Sequence, residues 1–152
     1  MGNPFNKISF AYVTLAQIAM TDGAHNYLPQ MLMKKVDSNT FQIVIVTVGM
    51  LFSSEKPFAV EADILFNGES VIDPSFSSDD KLQVPLIAEP ELGQIVNLSH
   101  LQVNGVRFKE TGIYQVKCCL AEDMDKLRSM LYVDTLESFF YVEVDDKNRE
   151  NQ

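Results

Sequence analysis

In the stretch FAVEADILF, residues 58–66, every second side chain is apolar: Phe58, Val60, Ala62, Ile64 and Phe66 fall on one face, Glu61 and Asp63 on the other. A period of two marks an extended strand with one face buried, because successive side chains on a strand point to opposite sides. The run ends at Asn67-Gly68 and resumes as ESVI. Asn-Gly tolerates positive φ at both positions, which a two-residue hairpin turn requires. This segment commits the chain to β-structure.

Other segments extend the pattern. TFQIVIVTV, residues 40–48, is apolar on both faces and β-branched, which predicts a central strand covered on both sides. Ile8 to Met20 reads similarly, although its Ala and Leu content makes helix a competitor. KLQVPLIA carries Pro85, which cannot donate to a ladder, so this piece is an edge strand or a loop. QIVNLSHLQV, residues 94–103, runs to a second Asn-Gly at 104–105. In TGIYQVKCCL, Tyr114, Val116, Cys118 and Leu120 share a face, opposite Ile113, Gln115, Lys117 and Cys119. In LESFFYVEV, Leu136, Phe140, Val142 and Val144 lie opposite Glu137, Phe139, Tyr141 and Glu143. Only AEDMDKLRSMLYV between them has apolar spacing near 3.6, through Met124, Leu127 and Leu131. It predicts a short helix or ordered excursion, with a further strand over SMLYV equally allowed.

Seven or eight short strands with at most one short helix predict an all-β, two-layer antiparallel β-sandwich. A chain of 152 residues, 46% hydrophobic, buries about two-thirds of its unfolded surface in one core. One domain over residues 1–152 is therefore expected, ordered from about 8 to 144 between the polar ends MGNPFNK and DDKNRENQ.

Glu110, Thr111, Gly112, Ile113, Tyr114, Gln115 and Val116 narrow the fold further. They resemble the acidic-x-Gly-x-Tyr-x-apolar pattern that opens the penultimate strand of immunoglobulin-like sandwiches, where the Tyr hydroxyl bonds back to the backbone at a corner. An antibody-type domain is excluded, since Val116 stands where its disulfide cysteine would be and the chain has no Trp. More broadly, the FAYVTLAQ start, the VEADILFNGESVI hairpin and the closing Phe108, Gly112 and Tyr114 resemble a family of small uncharacterised bacterial β-sandwich proteins, a domain of unknown function. The resemblance spans residues 8–144 and implies a fold. It implies no catalytic residues.

The formal net charge is −9. Residues 1–76 hold four basic and seven acidic side chains, residues 77–152 eight and fourteen. Such a balance disfavours direct binding to nucleic acid or to an anionic membrane. The first twenty residues lack the ordered parts of a signal peptide and no run approaches eighteen apolar residues, so a soluble, cytoplasmic protein is expected.

Candidate chemistry is sparse. Cys118 and Cys119 cannot easily bridge, because adjacent Cα atoms lie about 3.8 Å apart and their side chains point to opposite faces. No CxxC is present, and only His25 and His100 could join them on zinc. Two free thiols are expected, Cys118 protected in the core and Cys119 reactive on the other face. EDMD at 122–125, SSDD at 77–80 and VDD at 144–146 could offer oxygens to calcium, but none has EF-hand spacing. Ser99-His100 lacks a nucleophile elbow, and the Asn97-Leu98-Ser99 sequon is moot without secretion. No catalytic residue, metal site or cofactor is expected.

A surface feature remains. If the last two strands are neighbours, Ile113, Cys119, Phe139 and Tyr141 share an outer face too apolar to be left bare. Either the 121–134 excursion covers it through Leu127, Met130 and Leu131, or a homodimer or protein partner does. The favoured expectation is a non-enzymatic protein-interaction module centred on Phe139 and Tyr141. The first alternative is an acidic decoy that occupies a basic nucleic-acid-binding groove with Glu122, Asp123 and Asp125. The second is an enzyme or small-ligand carrier whose site, holding His25 or His100 with carboxylates, forms only in the fold.

Overall fold

Alternation within each segment becomes pairing between segments in the computed structural model, which describes residues 6–16, 27–53, 58–76, 81–83 and 94–145. Nine strands occur among them: β1 Lys7–Leu15, β2 Leu32–Asp37, β3 Gln42–Ser53, β4 Ala59–Phe66, β5 Glu69–Ser70, β6 Lys81–Gln83, β7 Gln94–Val106, β8 Gly112–Ala121 and β9 Asp134–Asp145. One helix, α1, spans Met124–Arg128. The strands form two sheets, ordered β1-β3-β7 and β2-β9-β8-β4-β5, with β6 also paired to β4. Both sheets line one buried cluster, Val46, Val48 and Leu101 from the first meeting Val60, Val116 and Phe140 from the second. The architecture is mostly β and consistent with an all-β sandwich. Expectations about Met20, His25, Pro85, the SSDD run and the chain ends lie outside the described residues.

Two details depart from the expected all-antiparallel set of seven or eight strands. β2 is an additional strand, and it pairs with β9 in parallel. Its sequence, LMKKVD, hides the alternation because the register shifts between Met33 and Val36, with Lys35 at φ 55. The crossing from one sheet to the other is explicit: the Gln30 amide donates to the Val13 carbonyl of β1, and the Tyr141 amide of β9 donates to the Met31 carbonyl. Partner direction leaves no trace in a single strand's pattern.

The two Asn-Gly pairs behave differently. Asn67 and Gly68 take φ 51 and 83 and turn β4 into β5. Gly105, at φ 69, stays inside β7, where pairing to β3 slips between Gln42–Val106 and Val44–Val103. It is a bulge glycine, and a Cβ there would lie 2.4 Å from the Phe76 ring.

At the β8 entrance the Tyr114 hydroxyl donates to the Glu110 carbonyl at 2.6 Å. The Tyr114 ring lies 4.6 Å from Phe66 and 4.9 Å from Phe108, centroid to centroid. Gly112 lets Phe66 approach, since a Cβ there would sit 3.0 Å from its Cε2. This one bond ties a loop to a buried ring, so Tyr114→Phe is expected to cost about 1 kcal/mol with the fold retained. Urea denaturation checks this; an unchanged midpoint would show that the corner bond is replaced by water at no loss.

Candidate interaction surface

The outer face of the six-stranded sheet follows from register. Inward go Tyr114, Val116, Cys118 and Leu120 of β8 and Phe140 and Val142 of β9, all buried. Their neighbours therefore point outward. Ile113 pairs with Tyr141, and Tyr141 in turn with Leu32, giving one apolar row across three strands. Phe139 occupies the next outward row, opposite Gln115. Ile113 is 64% exposed, Phe139 57%, Leu32 47% and Tyr141 42%. Beside Phe139 an apolar cleft of about 330 Å³ opens between β1 and β9, lined by Tyr12, Pro29 and Met31 among others.

Cys119 belongs to the same side but not to the exposed surface. After β8 the chain folds back as α1, and Leu127 packs with Cys119, Ala59 and Ala121 in a second buried cluster. Five residues are too few for a helix stable alone, so packing and capping hold it. Asp123 caps it by accepting from the Lys126 amide at 2.8 Å. Both thiols are free and buried. Burial pushes the Cys118 thiol up to about 12. Burial, and then the Glu61 carboxylate, raise Cys119. The expected reactive Cys119 is thus corrected: Leu127 and its neighbours cover it, leaving 4% exposure. A bulky thiol reagent should label neither cysteine in the native state. Leu127→Ala should open Cys119 while Cys118 stays protected. Intact-mass analysis after brief labelling decides, and rapid labelling of the unaltered protein at Cys119 would contradict the cover.

The cover extends no further along the face. Met130 and Leu131 point to solvent, at 72% and 61% exposure, rather than over Phe139 and Tyr141. The 121–134 excursion therefore covers Cys119 alone of the four residues expected together.

The acidic trio is occupied by the same helix. Glu122 accepts from Lys126 Nζ at 2.8 Å, Asp123 is the cap, and Asp125 lies 3.7 Å from Arg128. Among the described residues no group of three His, Cys, Asp or Glu side chains could hold a metal ion. His100 lies on the outer side of the other sheet, its Nδ1 2.8 Å from Thr47 Oγ1 and its ring 4.9 Å from Tyr27. Ser99 is buried on the opposite side against Asn97, so the two neighbours do not converge. A second cleft, of about 450 Å³, lies beside the tyrosine corner between Arg107, Lys109 and Asp73. There the Arg107 guanidinium sits 5.4 Å from the Phe41 ring centre.

Leu32 and the cleft escaped the sequence reading because β2 itself did. A second apolar area, Phe10, Val96 and Leu98 on the outer side of the three-stranded sheet, escaped as well. Gly49 inside β3 was its signal: a strand glycine marks a close approach, and a Cβ there would lie 2.5 Å from the Phe10 ring. No helix of the described residues is long and apolar enough to cross a membrane. Comparison with protein-family models, with curated proteins and with solved structures found no match.

Proposed function

We propose that this chain is a non-enzymatic protein-interaction module that binds through the outer face of its six-stranded sheet. The observation that carries the reading is the row Leu32–Tyr141–Ile113, in register across three strands and left open beside Phe139. Four large apolar side chains together on one face make the kind of patch that soluble proteins reserve for contacts. Aromatic residues in such a patch supply most of the binding energy when buried. The strand orders β1-β3-β7 and β9-β8-β4-β5, with the Tyr114 corner bond, support an immunoglobulin-like topology. A place in the bacterial β-sandwich family and a cytoplasmic location belong to the same proposal.

The acidic-decoy alternative is disfavoured, because Glu122, Asp123 and Asp125 are engaged by the helix and its lysine and arginine rather than arrayed like phosphates. The enzyme alternative called for a histidine with carboxylates in a pocket, and His100 sits with Thr47 and Tyr27 instead.

A photo-crosslinking phenylalanine placed at 139, in the native host, tests the reading. Protein adducts are expected at 139 and not at the exposed control position Gln102 on the other sheet. Adduct yields at 139 no higher than at the control would remove the proposal.

A further inference from the structure

In the cleft beside the tyrosine corner, opposite charges stand close together without pairing. Ile72 and Val106 form an antiparallel bridge, in which the Asp73 amide donates to the Gly105 carbonyl at 2.9 Å and the Arg107 amide to that of Val71 at 3.0 Å. That register makes Arg107 and Asp73 diagonal neighbours, with Cα atoms about 7–8 Å apart, an easy reach for an arginine. The guanidinium turns elsewhere. Its Nε and Nη2 donate to the Ser38 and Asn39 carbonyls at 3.4 and 3.5 Å, and it rests on the Phe41 ring. Phe41 is fixed in turn by Phe76, 4.8 Å away, which packs over Gly105. Arg107 is thus held in place before any ligand arrives, and nothing among the described residues bonds to its Nη1.

Asp73 is held just as firmly. Its Oδ1 accepts from the Ser75 hydroxyl at 2.6 Å and the Ser75 amide at 2.8 Å, leaving Oδ2 without a hydrogen bond among the described residues. Those two bonds, with the Arg107 and Lys109 charges adding, keep its carboxyl below the usual carboxylate range. Among the described residues, no ion pair includes Arg107, Lys109 or Asp73.

We propose that this cleft binds a free aromatic α-amino acid, with its carboxylate on Arg107, its ammonium on Asp73 and its ring against Phe41 and Phe66. The inference goes beyond the sheet-face reading and uses none of its four residues. The volume of about 450 Å³ suits a small molecule. A guanidinium fork matches a carboxylate, and an ionised Asp oxygen accepts from an ammonium. An α-amino acid carries both charges on one carbon, so one small group can bridge two protein charges that stand one strand apart. Charge balance excludes the other classes. Arg107 and Lys109 share the cleft with three carboxylates, Glu69, Asp73 and Glu110, so phosphate or another dianion meets net repulsion. A ligand with one charge of each sign does not. Phe41 is 43% exposed, and a ring packed on it removes apolar surface of both from water.

Chemical-shift titration of the full chain by NMR, with L-phenylalanine, 3-phenylpropanoate, 2-phenylethylamine and inorganic phosphate, tests the assignment. L-Phenylalanine should bind with Kd below about 1 mM, about tenfold or more tighter than either analogue that lacks one charge. Phosphate should not compete. Arg107→Gln should weaken L-phenylalanine and 3-phenylpropanoate alike, about tenfold or more. Asp73→Asn, which keeps an oxygen for Ser75, should weaken L-phenylalanine by a similar factor and leave 3-phenylpropanoate unchanged. Denaturation midpoints of both variants should match the unaltered chain, and the ligand comparison on the unaltered chain stands whether or not they do. No shifts around the cleft at about 10 mM L-phenylalanine overturns the proposal. So does any of the other three probes binding as tightly as the amino acid.

Discussion

Raising the pH from about 8 to about 11 is expected to remove about 2 to 3 kcal/mol of stability through Cys118 alone. The thiol is fully buried between the sheets, and burial holds its pKa at about 12 against an ordinary value of 9.0. The sign follows from linkage. Below about pH 9 the thiol is neutral in both the folded and unfolded chain, and its contribution is fully present. Above that, the unfolded chain releases the proton while the folded chain cannot, so stability falls until pH passes the folded pKa. Cys119, Tyr114 and Tyr132 are raised too, each chiefly by burial, and act in the same direction. Cys118→Ala separates the effect from general alkaline unfolding. The variant starts lower at neutral pH because of the space it leaves, but its stability should decline much more gently across this range. Urea-derived stabilities at several pH values measure both slopes; parallel decline in the two proteins would show that Cys118 does not carry the alkaline sensitivity.

The same thiols show what a single sequence reveals and where it stops. That Cys118 and Cys119 face opposite ways follows from the period of a strand, and the buried pair Val60 and Leu120 is legible on the same ground. That Cys119 alone is covered does not follow: the spacing through Met124, Leu127 and Leu131 predicts the excursion, but not that its helix stops at Arg128, which lays Leu127 on Cys119 and leaves Met130 and Leu131 in solvent. Asn67-Gly68 and Asn104-Gly105 look alike in sequence because both permit positive φ. Whether the chain then reverses or merely bulges is decided by the strand beside it, and β7 continues because β3 pairs along nearly its whole length. The parallel strand β2 was the largest omission, since two consecutive lysines at its bulge erase the alternation. Its loss removed Leu32 from the surface, while Ile113, Phe139 and Tyr141 could be placed together from β8 and β9 alone. The carboxylate trio misled for a local reason. A run such as EDMD suggests a free acidic surface, yet a short helix that begins there uses one acid as its cap and offers the others a lysine and an arginine one turn away.

Phe139 and Phe140 are adjacent in β9 and are expected to fail in opposite ways when truncated. Phe140 is 3% exposed and lies 6.0 Å from Tyr114 and 6.1 Å from Phe108 in the aromatic group beneath the tyrosine corner. Phe140→Ala removes that burial and leaves a cavity that rings on neighbouring strands cannot fill, so a loss of about 3–5 kcal/mol is expected. For a domain whose whole stability is on the order of 5–15 kcal/mol, much of the reserve goes, and the melting temperature should fall steeply. Phe139 projects from the other side of the same strand, and its ring stays largely in solvent before and after folding. Phe139→Ala should change the denaturation midpoint by less than about 0.5 kcal/mol equivalent, yet weaken association through the outer face at least tenfold. Chemical denaturation, with photo-crosslinking from Tyr141 on the same face, gives a crossed result if the face is a contact surface: Phe140→Ala unstable, Phe139→Ala stable but with few adducts. If Phe139→Ala is instead as destabilising as Phe140→Ala, the ring is part of the protein's own packing, and the apolar row belongs to the core rather than to a partner.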